Sequence, residues 1–344
     1  MFSDSAGDDL GLRLIDLNND GYVDVIKGRQ SNQVKKAWIN NKTALNETSE
    51  FVLPEYFVYN QPATVDSGLR IADLNNDGLV DLIQGRGGVK RAWLNNGSGW
   101  KEDTLTWAPP IEFLSFVDPV YVDKGAQLVD FNGDGKVDLL QATDLGLVRT
   151  AYINTGSGWK NASPWESPTY FTTGDGSDHG TRLVDLNGDG LIDIIQGYDF
   201  TAEGETKAAW LNNGSGWVNS TNWIPPDVFT TTSIPDRGVR FVDLNGDGLV
   251  DIVFDYKNGS ASEREAFINT GNGWSNSTSW LTPEPFTKNG KNIGRRIGDI
   301  DGDGFADILV STVEGSTRVN RTVIRNSTIP YLLKNITNEF GGIT

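Results

Sequence analysis

The chain has no cysteine in 344 residues. Disulfides, thiolate nucleophiles and cysteine-type zinc sites are therefore excluded. A single histidine, His179, and a single methionine, Met1, leave little for imidazole or thioether chemistry. No apolar run reaches the roughly 20 residues of a membrane-spanning helix. The first residues, MFSDSAGDDLG, have no apolar signal-peptide core. Sustained helical periodicity is missing too. Basic residues are in the minority: 29 Lys and Arg stand against 46 Asp and Glu, a formal charge of −17. That balance argues against nucleic acid or an anionic membrane as partner.

What is present is a phrase. DLNNDGYVD at Asp16 returns as DLNNDGLVD at Asp73, DFNGDGKVD at Asp130, DLNGDGLID at Asp185, DLNGDGLVD at Asp243 and DIDGDGFAD at Asp299. The starts lie 57, 57, 55, 58 and 56 residues apart. A fixed period of this length marks a repeat architecture, and six repeats use nearly the whole chain as one domain.

The phrase also reads as a ligand set for a hard cation. Calcium takes six to eight oxygens, from carboxylates, amides and backbone carbonyls. Positions 1, 3, 5 and 9 carry acidic or amide side chains, and position 7 can add its carbonyl. Loop one offers Asp16, Asn18, Asp20, Tyr22 and Asp24; loop two Asp73, Asn75, Asp77, Leu79 and Asp81. Loop three offers Asp130, Asn132, Asp134, Lys136 and Asp138; loop four Asp185, Asn187, Asp189, Leu191 and Asp193. Loop five offers Asp243, Asn245, Asp247, Leu249 and Asp251; loop six Asp299, Asp301, Asp303, Phe305 and Asp307. Glycine at position 6 permits the left-handed turn. Apolar residues at positions 2 and 8, such as Leu17 and Val23, are expected to anchor the loop. An EF-hand needs Glu at position 12; here that position holds Lys27, Gln84, Gln141, Gln196, Phe254 or Val310. A plain Asp-rich turn needs one or two such residues, not a full set six times. The loops hold 19 of the 46 acidic residues, so about six Ca²⁺ would bring the charge to about −5.

Around each loop the sequence reads as four short strands. In repeat four these run from Gly180 to Asp185, Leu191 to Gly197, Lys207 to Asn213, and onward from Trp217. Four strands per period, with turn residues between, is a β-propeller pattern. The expected fold is all-β, with six or seven four-stranded blades and a loop between the first two strands of each. Blade cores are expected near 11–60, 68–117, 125–172, 180–230, 238–287 and 294–328. A glycine opens each repeat (Gly11, Gly68, Gly125, Gly180, Gly238, Gly294), followed two residues on by Arg13, Arg70, Gln127, Arg182, Arg240 or Arg296. These arginines suit a ring along the inner strands or partners of the loop carboxylates. Trp38, Trp93, Tyr152, Trp210 and Phe267 mark the third strand, and Trp100, Trp159, Trp217 and Trp274 the fourth. Packing between blades is the plainer use of these rings; pockets for sugars are the sharper one. Repeat six loses them after Asp307.

This loop inside a four-strand repeat, followed by an aromatic-Asn-Asn-Gly-Ser-Gly-Trp turn, resembles the FG-GAP and VCBS repeats of integrin alpha-type propellers. The resemblance spans Gly11 to about Ile329. It implies calcium in the loops and leaves the partner open, because such propellers serve adhesion proteins, lectins and toxin components alike. Residues 329–344 (IPYLLKNITNEFGGIT) resemble the junction between a propeller and the shell of RHS proteins, including B components of bacterial toxin complexes. Phe2 stands where Phe171 and Phe229 stand in later repeats, so the chain is expected to be a fragment of a longer polypeptide.

Eleven Asn-x-Ser/Thr sequons occur, at Asn41, Asn46, Asn96, Asn161, Asn213, Asn219, Asn258, Asn276, Asn320, Asn326 and Asn335. With calcium they point to a secreted or cell-surface protein. The expected function is a calcium-stabilised, non-catalytic binding or assembly module. Its partner is a protein or glycan on a propeller face, and the rest of its own polypeptide. A lectin with pockets lined by Trp100, Trp159, Trp217 and Trp274 is the alternative. A hydrolase ranks last, since His179 stands beside Asp178 in one repeat only.

Overall fold

The computed structural model describes residues 9–60, 64–117, 120–200, 204–298, 305–314 and 317–323. The propeller is built from antiparallel sheets arranged in chain order. Inner strands are Leu12–Ile15, Leu69–Ala72, Ala126–Val129, Thr181–Val184, Val239–Val242 and Arg295–Gly298. Each pairs with a longer second strand, such as Asp81–Arg86 or Asp193–Phe200, which pairs in turn with a third. The outer strands are Leu45–Thr48, Trp100–Glu102, Trp159–Asn161, Trp217–Asn219 and Trp274–Asn276.

Five sheets thus contain the four-stranded blade. The sixth has three strands among the described residues, Arg295–Gly298, Asp307–Glu314 and Thr317–Val323. The expectation of six or seven four-stranded blades is corrected to five. The physical reason lies in repeat six, which has neither the Gly-x-Gly turn and tryptophan that open the outer strand in blades two to five nor the Asn-Asn-Lys-Thr turn that precedes it in blade one. The last inner strand stands beside the first, since Arg296 interacts electrostatically with Asp9 and Arg13. The expected segments at 1–8 and 324–344, including Phe2 and the RHS-like tail, lie outside the described residues.

The second strands are β-branched and leucine-rich because both their faces are covered. Each core cluster joins two consecutive blades. Leu17, Ile26 and Phe57 meet Leu69, Leu82 and Trp93; Leu186, Ile195 and Phe229 meet Val239, Ile252 and Phe254. Two helical turns not legible in the strand pattern, Thr104–Trp107 and Ser163–Trp165, carry Trp107 and Trp165 into the core.

The two ends of the strands differ. The Asp loops cap one end. At the other, extra strands pair in parallel with the end of the second strand. Val58 lies against Arg29, Leu114 against Arg86, Tyr198 against Thr230 and Tyr256 against Thr287. Three of these extra strands fold back as hairpins: Val58–Asn60 with Thr64–Asp66, Leu114–Val117 with Val120–Asp123, and Thr287–Lys288 with Lys291–Asn292. Before blade four there is only a bridge, Thr143 to Thr172, and before blade five the two-residue strand Thr230–Thr231.

Candidate metal centres

In every described loop the residue before position 1 pairs with position 9: Ile15 with Asp24, Ala72 with Asp81, Val129 with Asp138, Val184 with Asp193 and Val242 with Asp251. Positions 1 to 8 are therefore the hairpin connection itself. The position 1 carboxylate accepts the position 6 amide at 2.7–2.8 Å in all five loops. The position 5 carboxylate accepts the amide of position 7, from Tyr22, Leu79, Lys136, Leu191 and Leu249, at 2.8–3.0 Å. Glycine is required at position 6, where φ is +82 to +85°. Position 4 is also left-handed, at +57 to +76°, which explains its restriction to Asn19, Asn76, Gly133, Gly188 and Gly246.

Position 3 is Asn in these five loops. In four of them its Nδ2 donates to the position 5 carboxylate: Asn18 to Asp20, Asn75 to Asp77, Asn187 to Asp189 and Asn245 to Asp247. In loop three, Lys136 Nζ lies 3.0 Å from Asp134 Oδ2. Burial works against the Asp134 charge, but Lys136 outweighs it and holds the carboxyl low. Asp299, Asp301 and Asp303 lie outside the described residues. Of loop six, Phe305 and Asp307 are described, and both are buried.

Position 9 does more than close a loop. Asp24, Asp81, Asp138, Asp193 and Asp251 are 0% exposed. Asp81 Oδ2 accepts the amide of Leu74, position 2 of its own loop, and Oδ1 accepts the amide of Asn95, at the end of the third strand. Asn95 Nδ2 then donates to the Leu17 carbonyl of the preceding blade, at 2.8 Å. The same links recur from Asn154 to Leu74, Asn212 to Phe131 and Asn269 to Leu186. Asp and Asn thus form a buried hydrogen-bonded belt that passes from blade to blade beneath the loops. Leu17, Leu74, Phe131, Leu186 and Leu244 pin it from position 2. Position 8 anchors less: Val23 is 54% exposed.

The belt is electrostatically loaded. Burial pushes the carboxyls of Asp81, Asp193 and Asp251 up to about 6 and that of Asp138 to about 7. Their backbone donors oppose the rise, and the carboxylates at positions 5 and 1 add to it. Burial raises Asp24 as well. Asp138 Oδ2 has no partner within hydrogen-bond geometry, although the nearby Phe131 amide acts to lower its pKa.

These residues fit a divalent cation by their chemistry. Each of loops one to five gathers hard oxygen donors over a buried carboxyl, and Lys136 makes a salt bridge to its own loop's Asp134. The structure does not draw all the expected ligands together. Among the described residues, Asp227, Glu263 and Glu265 form the one set of three acidic groups with oxygens within 4.8 Å of one another. The three aspartates of a loop are more widely spread, because position 9 turns to the belt. The tighter set already has its cation: Arg237 Nη2 lies 2.6 Å from Asp227 and 2.9 Å from Glu263.

A second repeated motif accompanies the loops. Asp9, Asp66, Asp178 and Asp236 precede Arg13, Arg70, Arg182 and Arg240 by four residues, in the pattern D-x-G-x-R. The ion pairs measure 2.7, 2.7, 2.6 and 3.9 Å. The arginines therefore pair with these aspartates and not with the loop carboxylates. Each also lies over a phenylalanine of the lead-in to the next blade: Phe57, Phe113, Phe229 and Phe286. The glycine between admits no side chain, since a Cβ on Gly180 would lie 2.3 Å from the Gly197 carbonyl. Arg240 interacts with Arg182 and Arg296, so the residues form a ring along the inner strands. Gln127 breaks the motif in blade three, and Asn292 breaks it in sheet six.

The outer-strand tryptophans are half-buried packing elements. Trp100, Trp159, Trp217 and Trp274 meet Phe51, Trp107, Trp165 and Trp223 edge-on, with centroids 5.4–6.1 Å apart. Trp159 and Trp217 donate their indole N–H to the Trp107 and Trp165 carbonyls. His179 is buried beside Tyr198, and Gln196 Nε2 is 3.0 Å from its Nδ1.

Comparison with known proteins agrees with this geometry. A family profile described as FG-GAP-like repeat matches residues 16–84, 73–141, 130–196 and 185–254. A T-cell immunomodulatory protein homolog of Plasmodium yoelii yoelii is 28% identical over 164 residues, 45% of this chain and 23% of that protein. A lectin of Agrocybe aegerita, solved for its recognition of non-reducing terminal N-acetylglucosamine, is 19% identical, with a TM-score of 0.56 over 94% of this chain and 83% of the lectin. The Tc holotoxin pore of Photorhabdus luminescens, also 19% identical, gives a TM-score of 0.55 over 93% of this chain and 14% of that one. The chain thus spans under a quarter of the Plasmodium relative, and both structural likenesses are likenesses of fold.

Proposed function

From the premise that the chain belongs to the FG-GAP-like repeat family, we propose that it is a calcium-stabilised, non-catalytic propeller. It serves as a binding or assembly module of a larger extracellular polypeptide. One observation carries this reading: the loop face repeats blade after blade, whereas the opposite face alternates between hairpins and tight turns. A scaffold end and a recognition end are what such a contrast suits.

Side chains at positions 1, 3 and 5, with the carbonyl at position 7, would hold the ion in each loop. The position 9 carboxyl supplies negative charge beneath it. Bound calcium would neutralise carboxylates packed at close quarters. The chain's own residues do the rest: the left-handed positions 4 and 6 turn the loop, and position 2 fixes it to the core. Extracellular calcium modules have dissociation constants of about 10⁻⁴ to 10⁻³ M, so millimolar calcium contributes about 0.4–1.4 kcal/mol per site.

A non-catalytic role is supported by the fate of the candidate catalytic groups. His179 packs in an aromatic cluster, and Asp178 is held by Arg182 and the Gly180 amide. The greater length of the Plasmodium and Photorhabdus proteins supports a larger parent polypeptide, and the toxin component supports an assembly role. No helix of the described residues is long and apolar enough to cross a membrane.

Thermal unfolding with calcium and with chelator tests the proposal. The midpoint is expected to rise with calcium and to fall when it is removed. An unchanged midpoint overturns the metal assignment. A hydrolytic activity lost in Asp178→Asn would overturn the non-catalytic reading.

A further inference from the structure

The face opposite the loops contains a cavity of about 350 Å³ between the lead-ins to blades four and five. Here the extra hairpins of the other blades are replaced by tight turns. Thr173 N–H donates to the Ser177 carbonyl, and Thr231 N–H to that of Ile234, both at 2.9 Å. The shortened lead-ins leave an opening, and their sequences, TTGDGSD and TTTSIPD, fill its rim with hydroxyls.

The lining has three chemical parts. Thr173, Ser177, Thr231 and Thr232 bring hydroxyl groups. Phe200 brings an aromatic ring, stacked on Tyr198 with centroids 4.9 Å apart and planes 28° apart, with His179 edge-on at 5.7 Å. Asp175 brings a carboxylate. Its Oδ1 caps the turn, accepting from Thr173 Oγ1 and Ser177 N–H, and the Ser177 side chain also acts on the carboxylate. Those caps, the Thr173 hydroxyl first, hold its pKa low, so it stays ionised. The other lining carboxylate, Asp178, is neutralised by Arg182. Among the described residues, no lysine or arginine lines the space.

We infer that this cavity is a binding site for a single neutral hexopyranose, such as the terminal sugar of a glycan. This inference rests on the binding-module reading and names its ligand class. A pyranose has one face of C–H groups, which suits an aromatic plate already held by a second ring. Its edge of hydroxyls matches an ionised carboxylate and a rim of groups that both donate and accept. The volume falls in the range of small-ligand pockets. Phosphates and other anions find no cation here and meet Asp175. A simple cation would use the carboxylate and leave the hydroxyl rim unused.

The test uses the full chain with calcium on a glycan array of neutral and sialylated oligosaccharides. Isothermal titration with the methyl pyranoside of the best terminal sugar follows. Retention of a neutral terminal pyranose is expected. Phe200→Leu, which keeps apolar volume without the ring, and Asp175→Asn, which keeps the turn's acceptor without the charge, should each weaken binding about tenfold or more. Their melting temperatures should match that of the parent, and Trp217→Phe, outside the cavity, should bind normally. Capture of sialylated glycans only, capture of none, or full affinity in both cavity variants overturns the inference. A protein that melts in a calcium-dependent way yet captures no neutral glycan loses this site alone, whereas calcium-independent melting strikes the earlier reading.

Discussion

The two faces of the propeller have different rules. On the loop face, in loops one to five, position 1 accepts the position 6 amide and position 9 sits in the core. On the other face, the same stretch of the repeat is a hairpin before blade two, a longer hairpin before blade three and a tight turn before blades four and five. The difference teaches where the stabilising energy lies. The loop face is bonded between blades, so one residue there answers to two sheets. The variable face is bonded mostly within its own lead-in, so a change there stays local.

The largest expected effect comes from the belt. Asn212→Ala removes donors to the Phe131 and Ile192 carbonyls and an acceptor of the Gly214 amide. Stranded buried polar groups cost about 1–3 kcal/mol each, so denaturant unfolding should show a loss of about 3 kcal/mol. A loss below 1 kcal/mol would erase the contrast between the faces.

Next comes pH. The belt carboxyls have folded pKa values raised above their unfolded ones by burial. An acid with a raised folded pKa holds its proton more tightly when folded, so stability falls as pH rises from about 4 towards 7. Chelated protein should therefore melt higher at pH 5 than at pH 7. Saturating calcium, which needs the ionised loops, should reverse that order. The same order with and without metal would show that the loops and the belt are uncoupled.

Two smaller effects sharpen the comparison. Gln127→Arg restores the D-x-G-x-R pattern opposite Asp123 and should raise stability by about 0.5 kcal/mol, the scale of a partly exposed ion pair. On the variable face, Phe116 is 53% exposed on its hairpin. Phe116→Ser should change unfolding free energy by less than about 0.5 kcal/mol. A larger loss would mean that the hairpin is a structural part of the ring.

Much of the loop face was legible because its chemistry is local. Positions 1, 5 and 6 bond to one another inside nine residues, and their spacing shows it. The belt was less legible because its partners lie about 80 residues apart, as Asn95 and Leu17 do. Its only trace is an asparagine ending every third strand from Asn40 to Asn269. The aspartates Asp9, Asp66, Asp178 and Asp236 were also missed, although they recur two residues before the repeat glycine. Their signal is visible once the repeats are aligned on that glycine. The Arg237 cluster and the cavity at Phe200 each occur once, so periodicity carries no trace of them. The blade count failed where repeat six departs from its template after Asp307.

Linear repeat arrays can fray from their ends, since each unit answers only to its neighbour. The Asp–Asn belt alters that behaviour here. Removing any middle blade strands a carbonyl on one side and an amide donor on the other, both in the dry interior. A partly unzipped ring therefore carries two orphaned sites for every blade it releases, and melting should be a single transition for the belted blades. Sheet six, with three strands among the described residues, is the natural place for that transition to begin.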